Sequence, residues 1–284
     1  MKLTVRPGAR RAGRSRALIL AAAGSVLVFA VTGPGGPAAS GALARQSSVA
    51  GAGPGSAYTL MQMNLCLSGV ARCYGRVAYP AGVEEAVARI VAARPDAVTV
   101  NEACHGDVAR IARRIGYNVR FSAVTSSAGP VRCVRPGGRG RFGDAVLTRA
   151  AIAGSESHAF AAQGGTERRR WLCVTTDAGV DVCTAHLATR APAEQAANDA
   201  QCAELTAILA RRVAARPIVF GGDVNRHRSC APDGLWTRTD ASAGQAPSLQ
   251  HAYGSDAIRA PAVQVDPATH TDHDVLVVHA GAGG

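Results

Sequence analysis

Five short segments of this chain run from apolar residues straight into an acid, an amide or a histidine. They are Met61-Gln-Met-Asn64, Val98-Thr-Val-Asn-Glu102, Cys183-Thr-Ala-His186, Val219-Phe-Gly-Gly-Asp223-Val-Asn225, and His270-Thr-Asp272-His273 before a last apolar run. A polar side chain at the end of a buried strand is costly unless it finds partners. Five such ends therefore imply one shared site at the strand ends, where loops carry function. The residue types suit phosphate chemistry. Carboxylates hold hard cations, which prefer oxygen ligands and keep several waters. Histidines serve as a base or a phosphate contact near neutral pH.

Taken singly, each segment also has a plainer reading. Asp223 and Asn225 follow Ile218-Val-Phe220 and two glycines that let the chain turn tightly. Spaced two apart, they leave a strand end on one side, one charged and one a neutral amide. They can position a metal-bound water and a phosphate oxygen, or form an Asx turn. Asp272 and His273 are adjacent, so only at a strand entry can both reach one site; otherwise they are a solvated loop pair. Glu102 suits Mg²⁺, and equally suits the N-terminus of a helix opened by His105-Gly-Asp107. His186 is a general acid, a phosphate contact or a structural histidine.

The elements that must position these residues alternate. Strands are expected at Tyr58–Asn64, Ala97–Asn101, Val119–Val124, Asp144–Arg149, Pro217–Phe220 and Asp274–His279, with Trp171–Thr176 and Val180–His186 forming a hairpin. Helices are expected at Gly82–Ala93, stopped by Pro95, at Val108–Ile115 and at Ala193–Ala214. Strands mixed with helices and a hairpin give an α/β sandwich of two central mixed sheets with helices outside.

The chain has 284 residues, 47% of them hydrophobic and only 4% aromatic, enough for one sizeable core of Val, Leu, Ile and Ala. Residues 1–44 have the basic start, the apolar run Ala17 to Val31 and the Ala42-Leu43-Ala44 pattern of a cleaved secretory signal. The run is shorter than the roughly 20 residues that span a bilayer. The expected product is a secreted, extracellular monomer with no stable membrane association. Residues 45–57 read as a flexible linker and 58–284 as one domain. Removing the six basic residues of 1–44 lowers the net charge from +11 to +5. The eight cysteines, with no C-x-x-C pair, suggest disulfides rather than zinc. Sequential pairing is expected: Cys66–Cys73, Cys104–Cys133, Cys173–Cys183 and Cys202–Cys230. A turn at Ala178-Gly179 sets the third pair across one hairpin.

The ordered set Asn64, Glu102, His186, Asp223-x-Asn225 and Asp272-His273 resembles the endonuclease/exonuclease/phosphatase superfamily over about residues 58–279. That deoxyribonuclease I-like group includes abasic-site endonucleases, neutral sphingomyelinases and inositol polyphosphate phosphatases. The resemblance implies a four-layer α/β/β/α sandwich, two central mixed sheets flanked by helices. It implies that Glu102, helped by Asn64 and Asp272, holds Mg²⁺, or Mn²⁺ or Ca²⁺. Asp223 or His273 would then activate or orient water, while Asn225, His186 and Asn64 contact phosphate and His186 assists the leaving group. Two positions depart from the pattern. Asp144, a supporting residue, stands where Asn is usual. Gln250-His251-Ala-Tyr253 stands in the place of an Ile-Asp-Tyr strand, which makes His251 a supporting residue and Asp256 its rival.

Arg132, Arg135, Arg139 and Arg141 in a Gly-rich loop, with Arg168-Arg169-Arg170, favour a polyanion. The expectation is thus a secreted metal-dependent nuclease acting on DNA. The alternatives are a sphingomyelinase-like or phosphatase-type phosphoesterase, or a catalytically silent binding or toxin module. The lack of a lipid-facing aromatic hairpin disfavours a lipid substrate.

Overall fold

The computed structural model describes residues 57–70, 73, 79–258 and 261–280. The expected leader, and the linker up to residue 56, lie outside them. In chain order the first elements are β1 (Tyr58–Asn64), α1 (Ala81–Ala93), β2 (Ala97–Cys104), α2 (His105–Ile115), β3 (Asn118–Ala123), β4 (Thr125–Ser126), β5 (Gly129–Pro130), β6 (Phe142–Thr148) and β7 (Ile152–Ala159). Then come β8 (Arg170–Thr176), β9 (Asp181–Ala185), α3 (Gln195–Val213), β10 (Ile218–Asp223), β11 (Leu235–Thr239), β12 (Gln250–Ser255), β13 (Pro261–Asp266) and β14 (Val275–Ala280).

Two mixed six-stranded sheets form the centre, in the orders β13-β14-β1-β2-β6-β3 and β11-β12-β10-β9-β8-β7. The pairs β1/β2 and β9/β10 are parallel, and their neighbours run antiparallel. Strand alternation sorts the side chains into layers. Met61, Met63, Val98, Val100 and Leu147 face α1 and α2 in one cluster. Cys183, Ala185, Phe220 and Tyr253 join Leu205, Ile208 and Leu209 of α3 in another. Leu60, Val146, Val174, Val182, Val219, Leu276 and Val278 fill the space between the sheets. The order helix, sheet, sheet, helix is the expected sandwich.

The inter-sheet layer is apolar for only half its height. On the same inward faces, the next residues toward the other end are Gln62 and Asn64, Thr99 and Asn101, Asp144, Thr184, Gly221 and Asp223, and Gln250. All are buried. Gly221 is required by closeness: a Cβ there would collide with the Thr99 hydroxyl of the facing sheet, in a strand whose φ any residue could adopt.

The expected elements form, with shifted ends. The strand expected to end at Asn101 continues as β2 to Cys104 through a bulge between Val100 and Ala103. Strands β7, β11 and β13 were not expected. All three are edge strands, β7 with the half-exposed polar sequence Ile152-Ala-Gly-Ser-Glu-Ser-His-Ala159. All four sequential disulfides are present.

Replacing Gly221 with Val should force the sheets apart where they approach most closely. Overpacking of this kind costs about 1–3 kcal/mol. Urea denaturation should show that loss; unchanged stability would mean that the sheets do not need this gap.

Candidate active site

The polar half of the inter-sheet layer is a connected network with Asn101 at its centre. The Asn101 side-chain oxygen accepts from Gln62 Nε2 at 2.8 Å and from the backbone N–H of Asp223 at 2.8 Å. Its amide donates to Asp144 Oδ1 at 3.0 Å and to Thr184 Oγ1 at 3.3 Å. That uses all four of its capacities and joins β1, β2, β6, β9 and β10. Sequence reasoning took Asn101 only as the last residue of a strand.

Above this network five of the expected residues converge. The Asn64 amide donates to Glu102 Oε1 at 3.1 Å and to Asp223 Oδ2 at 3.0 Å. His186 Nε2 lies 3.8 Å from both carboxylates. His273 Nε2 lies 3.5 Å from Asp223 Oδ2. Asp223 thus touches an amide and two imidazoles from three other segments. Asn225 donates its backbone N–H to Asp223 Oδ1 and one amide hydrogen to Leu187 O, both at 3.0 Å. Its second amide hydrogen is left for a ligand. Thr271 anchors the Asp272-His273 loop by donating to Asn64 O at 2.7 Å.

Two of these residues sit in strained backbone. Glu102 has φ +54° and Asn225 φ +53°, a left-handed region that non-glycine residues seldom occupy. At Glu102 the conformation belongs to the β2 bulge. The bulge breaks the alternation and lets consecutive Asn101 and Glu102 both serve the site.

The charges in the cluster are few and close. Burial pushes the Glu102 carboxyl from its ordinary 4.5 to about 7; Asn64 and Arg169 oppose the push, and Asp223 and half-buried Asp272 add to it. Burial likewise raises Asp144 to about 7, against its bond from Asn101 and the charge of Arg169. Arg169 is itself buried, and its Nη1 lies 2.8 Å from His186 Nδ1. A guanidinium only donates, so His186 Nδ1 must accept. Burial, then Arg169 and His273, hold this imidazole well below its ordinary range. The neutral ring consequently carries its proton on Nε2, on the side facing Glu102 and Asp223. Sequence reasoning placed Arg169 only in a basic surface cluster; its burial was not legible there.

The two rivals for the supporting strand position do not reach the cluster. His251 points to the outer face of its sheet, bonding Tyr253 Oη at 2.8 Å and Ser248 O at 3.2 Å. Asp256 is exposed beyond the far end of β12. The residue facing inward is Gln250, opposite Asp223 in the ladder. Its amide donates to Asp240 Oδ2 at 3.2 Å and to Asp274 O at 2.5 Å. Asp240 is fully buried, is pushed up to about 6 by burial, and feels the charge of His273. It is a carboxylate that the motifs did not flag. His273 Nδ1 is buried without a hydrogen-bond partner.

Disulfides brace these positions. Cys66–Cys73 follows Asn64, and its sulfurs and a Glu102 oxygen lie within 4.8 Å of one another. Cys104–Cys133 follows Glu102, Cys173–Cys183 precedes His186, and Cys202–Cys230 ties α3 to the loop after Asn225.

Comparison with known proteins agrees with the fold. Residues 70–273 match the model of the Endonuclease/Exonuclease/phosphatase family. Among solved structures, the human Nocturnin catalytic domain with bound sulfate anion is 17% identical, with a TM-score of 0.60 over 78% of this chain and 92% of that one. An endonuclease/exonuclease/phosphatase from Beutenbergia cavernae is 21% identical, with a TM-score of 0.59 over 80% and 72%. D. rerio TDP2 complexed with single strand DNA product is 16% identical, with a TM-score of 0.52 over 79% and 98%. These identities speak for the fold alone. No curated protein matches the chain.

Asn101→Ala should leave Asp144, Gln62, Thr184 and the Asp223 N–H short of a partner. Each buried unsatisfied group costs about 1–3 kcal/mol, so the loss should exceed that of Asn225→Ala. Denaturant titration of both variants checks this; equal losses would remove Asn101 from the centre of the network.

Proposed function

Because the chain belongs to the Endonuclease/Exonuclease/phosphatase family, whose members are hydrolytic phosphoesterases, we propose that it is a secreted, divalent-cation-dependent phosphodiesterase that cuts nucleic acid. The convergence of Glu102, His186, Asp223 and His273 in one buried cluster carries the reading.

The residues present fit a cation. The donor set offers carboxylate and amide oxygens, the choice of Mg²⁺, Mn²⁺ and Ca²⁺. Burial, and after it the charges of Asp223 and Asp272, raise Glu102, and the amide NH2 of Asn64 bridges Glu102 and Asp223. Glu102 and Asp272 would hold the ion; the Asn64 oxygen, which accepts from the Cys66 backbone N–H at 3.1 Å, would join them by turning its amide over. Once bound it would neutralise charge developing on the phosphate. Asp223, between two imidazoles, is placed to orient the attacking water and take its proton. His273 steadies that carboxylate from the other side. His186 and the free amide hydrogen of Asn225 donate to non-bridging oxygens, and more strongly as those oxygens gain charge. Fixed by Arg169, His186 acts in this reading as a neutral donor. A polynucleotide is favoured by the arginines of the 131–141 and 168–170 segments, and by the DNA bound to the D. rerio neighbour. Four disulfides and a chain start of signal type favour export.

Incubation of the purified chain with plasmid DNA and Mg²⁺, with and without chelator, tests the reading. Chelator-sensitive nicking is expected. Asp223→Ala and His273→Ala should each lower it by orders of magnitude in folded protein. A wild-type chain that nicks no DNA would remove the nuclease assignment, and a near-normal rate in either variant would remove that residue's role.

The carboxyls also predict a pH dependence. Glu102 and Asp144 stand at about 7 in the folded chain, against ordinary values of 4.5 and 3.8. A carboxyl raised on folding destabilises the folded state as it ionises. Stability without cation therefore falls as pH climbs from the ordinary values, and the loss is complete above about 7. A cation binds the ionised forms and reverses this. Added Mg²⁺ should raise Tm at about pH 8 and barely at about pH 5, and Glu102→Gln should remove most of the rise. Equal shifts at both pH values would contradict the placement of the ion.

A further inference from the structure

Some surface arginines are paired with acids, as Arg89 is with Glu85, Arg110 with Glu84, Arg149 with Asp96 and Arg212 with Glu156, and others, such as Arg94, Arg113 and Arg211, are exposed and in no ion pair among the described residues. Arg120, Arg132 and Arg141 are exposed and take part in none of the ion pairs among the described residues. They line two adjoining cavities that share His105 and Arg141 as a wall. The first, of about 260 Å³, has an apolar floor including Val108 and Phe121, with Arg120 at its rim. The second, of about 500 Å³, carries Arg132. The exposed His105 ring is braced edge-on by Phe121, with centroids 5.2 Å apart. The His105 ring therefore stands between two hollows, each of which also carries two arginines.

Both hollows lie close in the chain to the candidate active site, although none of its residues lines either of them. His105 comes three residues after Glu102, Arg141 three before Asp144, and His105 N–H donates to Arg141 O at 2.8 Å. At about 3.3 Å per residue, no more than roughly 10 Å of strand separates them from the carboxylates.

Resting on the nucleic-acid reading above, we propose that these cavities form a subsite for one unpaired nucleotide next to the scissile phosphate. Its base lies against His105 and Phe121 in the first cavity. Its own phosphate is held by Arg132 and Arg141 in the second. Stacking on an aromatic tolerates any base, because every base has a π-face. The guanidinium fork matches a phosphate with two parallel bonds. A base paired inside a duplex cannot enter, so the subsite selects single strands, overhangs and frayed ends. A phosphate lacking an attached base leaves the His105 side unused.

Fluorescence anisotropy tests this with the full chain carrying Asp223→Ala, in Mg²⁺. The probes are a labelled single-stranded oligonucleotide and the same sequence as a blunt duplex. His105→Ala should weaken single-strand binding by about tenfold, the worth of one stacked base, and leave duplex binding unchanged. Arg132→Gln with Arg141→Gln should weaken single-strand binding and flatten its salt dependence by roughly two phosphate contacts. Melting curves verify that these exposed substitutions leave the fold intact. Unchanged single-strand affinity in both variants, or equal losses of the two probes on His105→Ala, would overturn the subsite. Plasmid nicking by the wild-type chain would then still uphold the nuclease reading. A wild-type chain that neither binds nor cuts nucleic acid would sink that reading, and this subsite with it.

Discussion

Asn101 has four hydrogen-bonding capacities and uses all of them in the space between the two sheets. A sandwich interior is normally filled by apolar side chains, and here the lower half is. The upper half holds Gln62, Asn64, Thr99, Asp144, Thr184, Asp223 and Gln250, all buried. Such a layer is tolerable only if nearly every group is paired, because a polar atom left alone in low dielectric keeps its full desolvation penalty. The same requirement gives the site its rigidity. Asp223 is held by its backbone through Asn101 and by its side chain through Asn64, so it does not need a ligand to find its place.

Charge is managed as economically as polarity. The cluster gathers carboxylates that burial makes reluctant to ionise, and sets one buried arginine among them. Arg169 is shared between Glu167 at 3.1 Å and His186. It does two things together: it offsets part of the negative charge, and it denies His186 a proton on Nδ1. A lysine there would supply the charge without the planar fork that fixes the ring. Strained φ values at Glu102 and Asn225 fit the same picture, since unfavourable backbone persists only where its surroundings over-determine it.

The sequence showed the polar strand ends because a sharp change from Val or Ile to Asn, Asp or His survives any uncertainty about topology. Val219-Phe-Gly-Gly-Asp223 is legible in this way: the strand, its turn and its acid are consecutive. Asn101, Asp240 and Arg169 were not, because each matters through partners distant in the chain. Asn101 and Asp223 are 122 residues apart. The β2 bulge was hidden for a related reason. No local pattern announces that alternation is about to fail, and Glu102 was read as following a strand rather than lying within it. His251 misled because it is the conspicuous residue of its segment, whereas period-two geometry turns it outward and presents the plain Gln250 instead. The edge strand β7 lacked signal because one side is solvated, which leaves Ser, Glu and His where a buried strand would carry Val or Ile, whereas β11 and β13 are only five and six residues long and were too short to stand out.

The cross-links are distributed as the site is. Each of the four lies within a few residues of a segment that carries a site residue, and none is spent on the helices alone. On the proposed reading of an exported chain, these bonds form in an oxidising compartment outside the cytoplasm. Inside a reducing compartment the same polypeptide lacks all four covalent braces.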